Sequence, residues 1–292
     1  MAKGENTRSG LLWEVERLLN ECTELPQILL MENVTQVHGK KNIEHFNEWI
    51  RFLESKGYRN YWKDLNAKNF CIPQNRNRTF MVSILGDYTY EFPQEFPLNK
   101  RLKDLLEMEV DEKFYIKNFD SLTSVNSEYS MINGGTIGKM HDVSRRVYSG
   151  EGVSPTIHTC GGGNTEPKVV EPRVIGGIDT RIADEYKEYS NFYVTPRGSD
   201  GKLINGSYNR VWKAEKYCGA LNLTKQQEVA EKDYQNTLRI RKLTPKECWR
   251  LMGFTDEDFE KAAQYNSNSQ LYKQAGNSIV VSVLYYIFKG MM

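Results

Sequence analysis

The chain has 292 residues, 39% of them hydrophobic, 26% charged and 12% aromatic, and Lys plus Arg (39) against Asp plus Glu (38) leave a formal charge of +1. That is the length of about two ordinary domains with a globular composition, which excludes a staple-dependent miniprotein and a disordered chain. The near-zero net charge excludes a global field for nucleic acid or membrane, so any basic surface is local.

Leu11, Leu12, Val15, Leu18 and Leu19 recur at helical spacing, which predicts one apolar helical face running to about Glu21 and closed off by Pro26. Ile28-Leu29-Leu30-Met31 is a short continuous apolar run, the pattern of a strand buried on both faces in a parallel sheet. Glu32 and Asn33 follow at its end. A second amphipathic helix is expected over Ile43 to Ser55, with Phe46, Trp49, Ile50 and Leu53 inward and Gly57 as its left-handed cap. Two further strands, about Tyr58 to Leu65 and Arg78 to Leu85, flank the loop Asn66 to Asn77, giving half of an α/β sheet. Residues 130–206 hold 13 of the chain's 22 glycines, so a separate, loop-rich, partly β domain is expected there. Thr244-Pro245-Lys246-Glu247 then reads as a helix start with a capping box, ended by Gly253. A last helix is predicted to begin near Asn277-Ser278, with Ile279, Val280, Val283, Leu284 and Ile287 on an apolar stripe that returns to the first domain. The resulting division is 1–92, 93–237 and 238–292.

Met1 is followed by no apolar stretch of signal-peptide type, and the longest apolar run, 279–288 broken by Ser282, is about half a membrane span. A cytoplasmic location, without a membrane partner, is the expectation. The five cysteines (Cys22, Cys71, Cys160, Cys218 and Cys248) form no C-x-x-C pair, and the four histidines fall at no metal-ligand spacing. Neither a disulfide framework nor a metal site is indicated.

Four segments carry a more specific signal: Met31-Glu32-Asn33-Val34; Ile72-Pro73-Gln74-Asn75-Arg76-Asn77-Arg78; Arg241 to Phe254; and Tyr272 to Val280, which contains Gly276-Asn277-Ser278. In this order and spacing they resemble the cytosine-5 DNA methyltransferases, nearly throughout the chain and most clearly before residue 85 and after 238. The resemblance implies an α/β fold, a partial Rossmann-like methyltransferase sheet with a second, smaller, loop-rich mixed/β target-recognition domain. It also implies double-stranded DNA as substrate and S-adenosylmethionine as methyl donor. The family's glycine-rich cofactor loop and Pro-Cys nucleophile loop have no counterpart in the chain. Cys71-Ile72-Pro73 reverses the order of that pair and lies inside another motif. Thr7 to Glu14 resembles the segment that shortly follows the Pro-Cys loop, so the chain resembles the C-terminal portion of such an enzyme.

Carbon 5 of cytosine is reachable only in a flipped base and becomes nucleophilic when a thiolate adds to carbon 6. By resemblance Glu32 relieves the resulting ring charge at nitrogen 3, Arg78 holds the ring oxygen, and Arg76 supports the loop. Either arginine also fits a purely structural role. Asn277 and Ser278 are expected to open the last helix, whose N–H groups favour the carboxylate of S-adenosylmethionine, with Leu11 as an apolar wall; an ordinary turn and cap explains the same residues. Gln74 and, in the middle domain, Thr156, Ile157, Gly162 and Gly163 resemble DNA-contacting positions. Arg145, Arg146, Lys168 and Arg173 are candidate phosphate contacts, although a surface hairpin with scattered charges accounts for them equally.

Two readings stay open. One is a subunit completed by a complementary N-terminal chain carrying the cofactor loop and nucleophile. The other is a catalytically inactive remnant that acts at most as a DNA-binding module.

Overall fold

The computed structural model describes residues 10–116, 133–136, 146–161, 165–172 and 238–291. The chain forms two compact units, one of residues 1–99 with 279–292 and the other of residues 100–278.

The first unit is built on a three-stranded sheet of β1 (Ile28–Asn33), β2 (Tyr58–Asn66) and β4 (Asn77–Leu85), in the order β1-β4-β2. A short strand, β3 (Gln74–Asn75), precedes β4. Both pairings are antiparallel, with Glu32 opposite Phe80 and Leu65 opposite Arg78. The parallel pairing expected for the apolar run at Ile28 is therefore corrected. Nor is the run buried on both faces: Ile28 is exposed and Leu29 to Asn33 are only half-buried, so its apolarity marks a strand without fixing its cover or the direction of its partner.

Strand alternation assigns the two faces. Met31, Trp62 and Met81 share one face with Asn33, Asp64 and Thr79, and Glu32, Leu65, Arg78 and Phe80 share the other. Over the first face lies α2 (Ile43–Ser55), whose Phe46, Trp49 and Leu53 are buried with Leu19 of α1 (Gly10–Glu21) and Met81. Each such side chain contributes roughly 1.5–3 kcal/mol by leaving water. Gly57 closes α2 at φ +92°, the left-handed conformation its position requires.

On the second face sits the chain's last helix, which brings Val280 and Val283 beside Leu65 and Phe80. Tyr286 of this helix meets the rings of Phe70 and Phe96, and Tyr90 donates a 3.1 Å hydrogen bond to Ile287 O.

The second unit holds a four-stranded sheet of β5 (Asn133–Thr136), β6 (Arg146–Ser149), β8 (Lys168–Pro172) and β9 (Leu238–Lys242), while β7 (Ser154–Pro155) lies outside it. Among the described strands of this sheet, β6 and β8 pair in parallel and the other two pairings are antiparallel. Three helices follow: α3 (Pro245–Arg250), α4 (Asp256–Ala263) and α5 (Asn268–Asn277). The predicted capping box opens α3: Thr244 Oγ1 accepts from Glu247 N, and Thr244 N donates to Glu247 Oε2 at 2.8 Å.

The end of the chain departs from expectation. Asn277 closes α5, Ser278 is its C-terminal cap, and the last helix, α6 (Val281–Lys289), begins only at Val281. The break follows from extended backbone at Ser278 (ψ 158°) and Val280 (ψ 118°), which interrupts the helical hydrogen-bond ladder between two apolar stretches that read as one.

Gly276 explains why α5 sits where it does. A Cβ there would stand 2.4 Å from both His158 C and Thr159 N, and 2.5 Å from His158 O. Backbone atoms cannot step aside singly, so Gly276→Ala is expected to cost about 1–3 kcal/mol, outweighing the gain of up to about 1 kcal/mol that alanine brings to a helix interior. Urea unfolding of the variant checks the sign; stabilisation would contradict the close approach.

Lys168, a candidate phosphate contact by sequence, is corrected: it is 2% exposed, and its Nζ donates to Glu166 O at 3.0 Å. Burial pulls its ammonium down to about 8, against a partly compensating pull from Glu166. Between about pH 8 and the ordinary lysine value near 10.4, the unfolded chain holds a proton that the folded chain has released, so this group's contribution to stability rises with pH. The stability of wild type relative to Lys168→Met is expected to rise by on the order of 2–3 kcal/mol between pH 7.5 and 10.5. Parallel denaturation curves at the two pH values test this.

Candidate active site

Position along β1 and β4 places a carboxylate and two guanidinium groups together. Glu32, next to last in β1, stands on the same sheet face as Arg78, and Arg78 Nε lies 3.2 Å from Glu32 Oε1. The contact is an ion pair without hydrogen-bond geometry: Glu32 Oε1 is shielded from solvent and has no hydrogen-bond partner. A buried carboxylate oxygen left in that state is costly unless something else completes it.

Arg76 occupies the break between β3 and β4 and is 5% exposed. Its backbone N–H donates to Gln74 O at 3.1 Å and to Asn66 Oδ1 at 3.2 Å, and its carbonyl accepts from Ala67 N at 3.0 Å. These backbone bonds set the path of the loop. Burial, with the positive charge of Arg78 second, lowers the Arg76 guanidinium to about 10, and Glu32 opposes that fall.

The three groups line a shallow, open recess whose apolar wall comes from Leu65, Phe80 and Val283. One carboxylate and two planar cations on an apolar floor can hold a flat polar ring by its edge, the carboxyl meeting a ring nitrogen and a guanidinium a ring oxygen.

No described cysteine is prepared as a nucleophile in this recess. Cys160 and Cys248 are buried, and burial pushes the Cys160 thiol up to about 12 and that of Cys248 well above its ordinary value, opposite to thiolate activation. Cys71 caps the turn after Phe70 in the left-handed region (φ 66°), and Cys218 lies outside the described residues.

The other sequence-derived positions are placed variously. Gln74 and Ile157 are fully buried and Thr156 is half-buried, so Gln74 and Ile157 present no side-chain surface to a duplex in this arrangement. Arg146 is half-buried in β6. Arg145, Gly162, Gly163 and Arg173 lie outside the described residues, as does the side chain of Leu11, whose backbone belongs to α1.

The helix-start argument for Asn277 and Ser278 is overturned by the break described above. Both residues sit at the C-terminal end of α5, where the dipole favours cations, and Ser278 Oγ donates to Gln274 O at 2.6 Å. By themselves the described residues do not form a cradle for the carboxylate of S-adenosylmethionine.

Among the described residues no group of three or more His, Cys, Asp and Glu side chains is placed to hold a metal ion. No described helix is long and apolar enough to cross a membrane.

The sequence as a whole matches a known family. The C-5 cytosine-specific DNA methylase family matches residues 2–292. The orphan methyltransferase M.SPBetaI of Bacillus phage SPbeta is 32% identical over 335 residues, covering 100% of this chain and 71% of the relative. The type II methyltransferase M.HhaI of Haemophilus parahaemolyticus is 26% identical, covering 97% and 68%.

Among solved structures, the Dnmt2 methyltransferase of S. pombe shares the fold at a TM-score of 0.53 with 19% identity, over 96% of this chain and 71% of that one. The chain belongs to the C-5 cytosine-specific DNA methylase family, in which S-adenosylmethionine is the methyl donor.

Proposed function

We propose that these 292 residues are the C-terminal portion of a DNA (cytosine-5-)-methyltransferase. In this reading Glu32 acts on nitrogen 3 of a flipped cytosine, Arg78 holds its ring oxygen, and Arg76 braces the loop between them. The observation that carries it is the shielded Glu32 Oε1, ion-paired with Arg78 without a hydrogen bond, in the shallow recess that Arg76 also lines.

None of the five cysteines follows a proline. The thiolate that adds to carbon 6, and the loop that holds most of S-adenosylmethionine, therefore come from polypeptide outside these residues. Leu11 adds a minor, apolar part of the cofactor site. Double-stranded DNA is met by the second unit through Arg145, Arg146, Thr156, Gly162 and Gly163, with contacts to phosphates supplying most of the affinity. The protein works in the cytoplasm, at the nucleoid when DNA-bound.

Incubation of the chain with labelled S-adenosylmethionine and a cytosine-containing duplex tests the division of labour. The expected result is no label transfer and no covalent adduct. Transfer abolished by replacing one of its own cysteines would overturn it.

A further inference from the structure

Three side chains on the sheet face opposite the recess form a cluster that the proposed chemistry does not use. Asp64, near the end of β2, accepts a 2.6 Å hydrogen bond from Thr79 Oγ1 and lies 3.1 Å through each carboxylate oxygen from His38 Nε2, which donates because a carboxylate only accepts. Each member belongs to a different segment around the recess. His38 ends the 3₁₀ turn Thr35–His38, which begins three residues after Glu32. Thr79, fully buried, lies in β4 between Arg78 and Phe80. Asp64 is the neighbour of Leu65, which also lines the recess.

Register strengthens the connection. Asn33, Thr79 and Asp64 form one row across β1, β4 and β2, so the cluster lies directly behind the strand ends carrying Glu32, Arg78 and Leu65. The imidazole is also held from the side, its ring 4.9 Å from that of Trp62 and 6.3 Å from that of Phe46. Glu32 Oε1 meets Arg78 as an ion pair without a hydrogen bond, so the geometry of the pair depends also on the backbone of β1 and β4 and on what ties those strand ends to their neighbours.

We infer that Asp64 is a positioning residue which, through Thr79 and His38, fixes the ends of β1 and β4 and so sets the distance and angle between the Glu32 carboxylate and the Arg78 guanidinium. The inference deepens the proposed function, because the placement it describes matters to methyl transfer only if Glu32 acts on the base. A reacting group misplaced by about 1 Å loses on the order of 100-fold in rate, whereas ground-state binding spread over phosphates is hardly touched.

The test is made on the whole chain with ¹³C-labelled glutamate, the Glu32 carboxyl resonance being assigned by its disappearance in Glu32→Gln. Thr79→Val removes the hydroxyl at nearly constant shape, Thr79→Ser restores it, and His38→Gln alters the cluster from its partly exposed side. The expected result is a displaced Glu32 resonance in Thr79→Val and His38→Gln, and a wild-type position in Thr79→Ser. An unmoved Glu32 resonance in folded Thr79→Val and His38→Gln would overturn the inference.

In the enzyme completed by a cofactor-loop and Pro-Cys segment, Thr79→Val is expected to slow single-turnover methylation by about 10- to 100-fold, with duplex affinity unchanged within about twofold. Wild-type single-turnover rate in Thr79→Val, with Glu32→Gln slow, would equally count against it. A Glu32 resonance that moves while Glu32→Gln methylates normally would leave the positioning intact and remove Glu32 from the chemistry, which separates the failure of one proposal from that of the other.

Discussion

Glu32→Gln, in the enzyme completed by the missing segment, is expected to lower the single-turnover rate of methyl transfer by on the order of 10²- to 10⁴-fold, or about 3 to 5 kcal/mol of barrier. Thiolate addition at carbon 6 places charge on the ring, and a carboxyl at nitrogen 3 lowers the energy of that state far more than it lowers the energy of the bound base. Glutamine keeps the shape and one acceptor but offers no acidic proton. Duplex affinity is expected to change little, because in the proposed reading it rests on phosphate contacts distributed over the second unit. Rate and affinity falling together with stability would assign Glu32 to the scaffold. The shielded, incompletely paired oxygen of Glu32 argues for the first outcome.

The second large effect is one of stability. Arg241 is fully buried and clasped on two sides: its two terminal nitrogens each reach a Glu247 oxygen at 2.7 Å, and its Nε reaches Glu171 Oε1 at 2.8 Å. Glu247, equally buried, also accepts from the backbone N–H groups of Thr244 and Glu107, each at 2.8 Å. Arg241→Met is expected to destabilise the chain by about 3–5 kcal/mol, since it leaves a carboxylate buried without its cation. That is a large share of the 5–15 kcal/mol that holds an ordinary domain. The paired replacement Arg241→Met/Glu247→Leu is expected to recover only part of the loss, because two backbone donors then lose their acceptor. Urea denaturation of the wild type, the single variant and the pair measures this; full recovery in the pair would show that the backbone bonds carry nothing.

What the sequence disclosed was set by local periodicity. The faces of α1 and α2 follow from leucines and aromatics at helical spacing, and the start of α3 from four consecutive residues whose capping bonds close on themselves. The apolar run at Ile28 marked a strand but not its direction, since direction belongs to the partner β4, some fifty residues away. The stop between Asn277 and Val281 was hidden by an apolar stripe that continues across it.

Burial misled in the same way. Gln74 and Lys168 are polar types usually found outside, and only the surrounding strands and loops decide that they are inside. At the candidate site, Glu32, Arg76 and Arg78 could be singled out because they lie within short motifs. Their mutual geometry could not, and the Asp64 cluster joins positions 15 and 26 residues apart, beyond any helical or strand repeat. Its only signal in the sequence was the presence of a carboxylate and a threonine at partner positions of two adjoining strands, which becomes visible once the register is known.

The most direct measurement of the central claim is the fate of the methyl group on a duplex when the chain is mixed with a polypeptide bearing the family's cofactor loop and Pro-Cys loop. Labelled transfer followed by nucleoside analysis identifies the atom modified. The predicted result is 5-methylcytosine formed only when both polypeptides are present, and strongly reduced by Glu32→Gln. Methylation by the chain alone, or transfer by the mixture to any atom other than carbon 5 of cytosine, would contradict it.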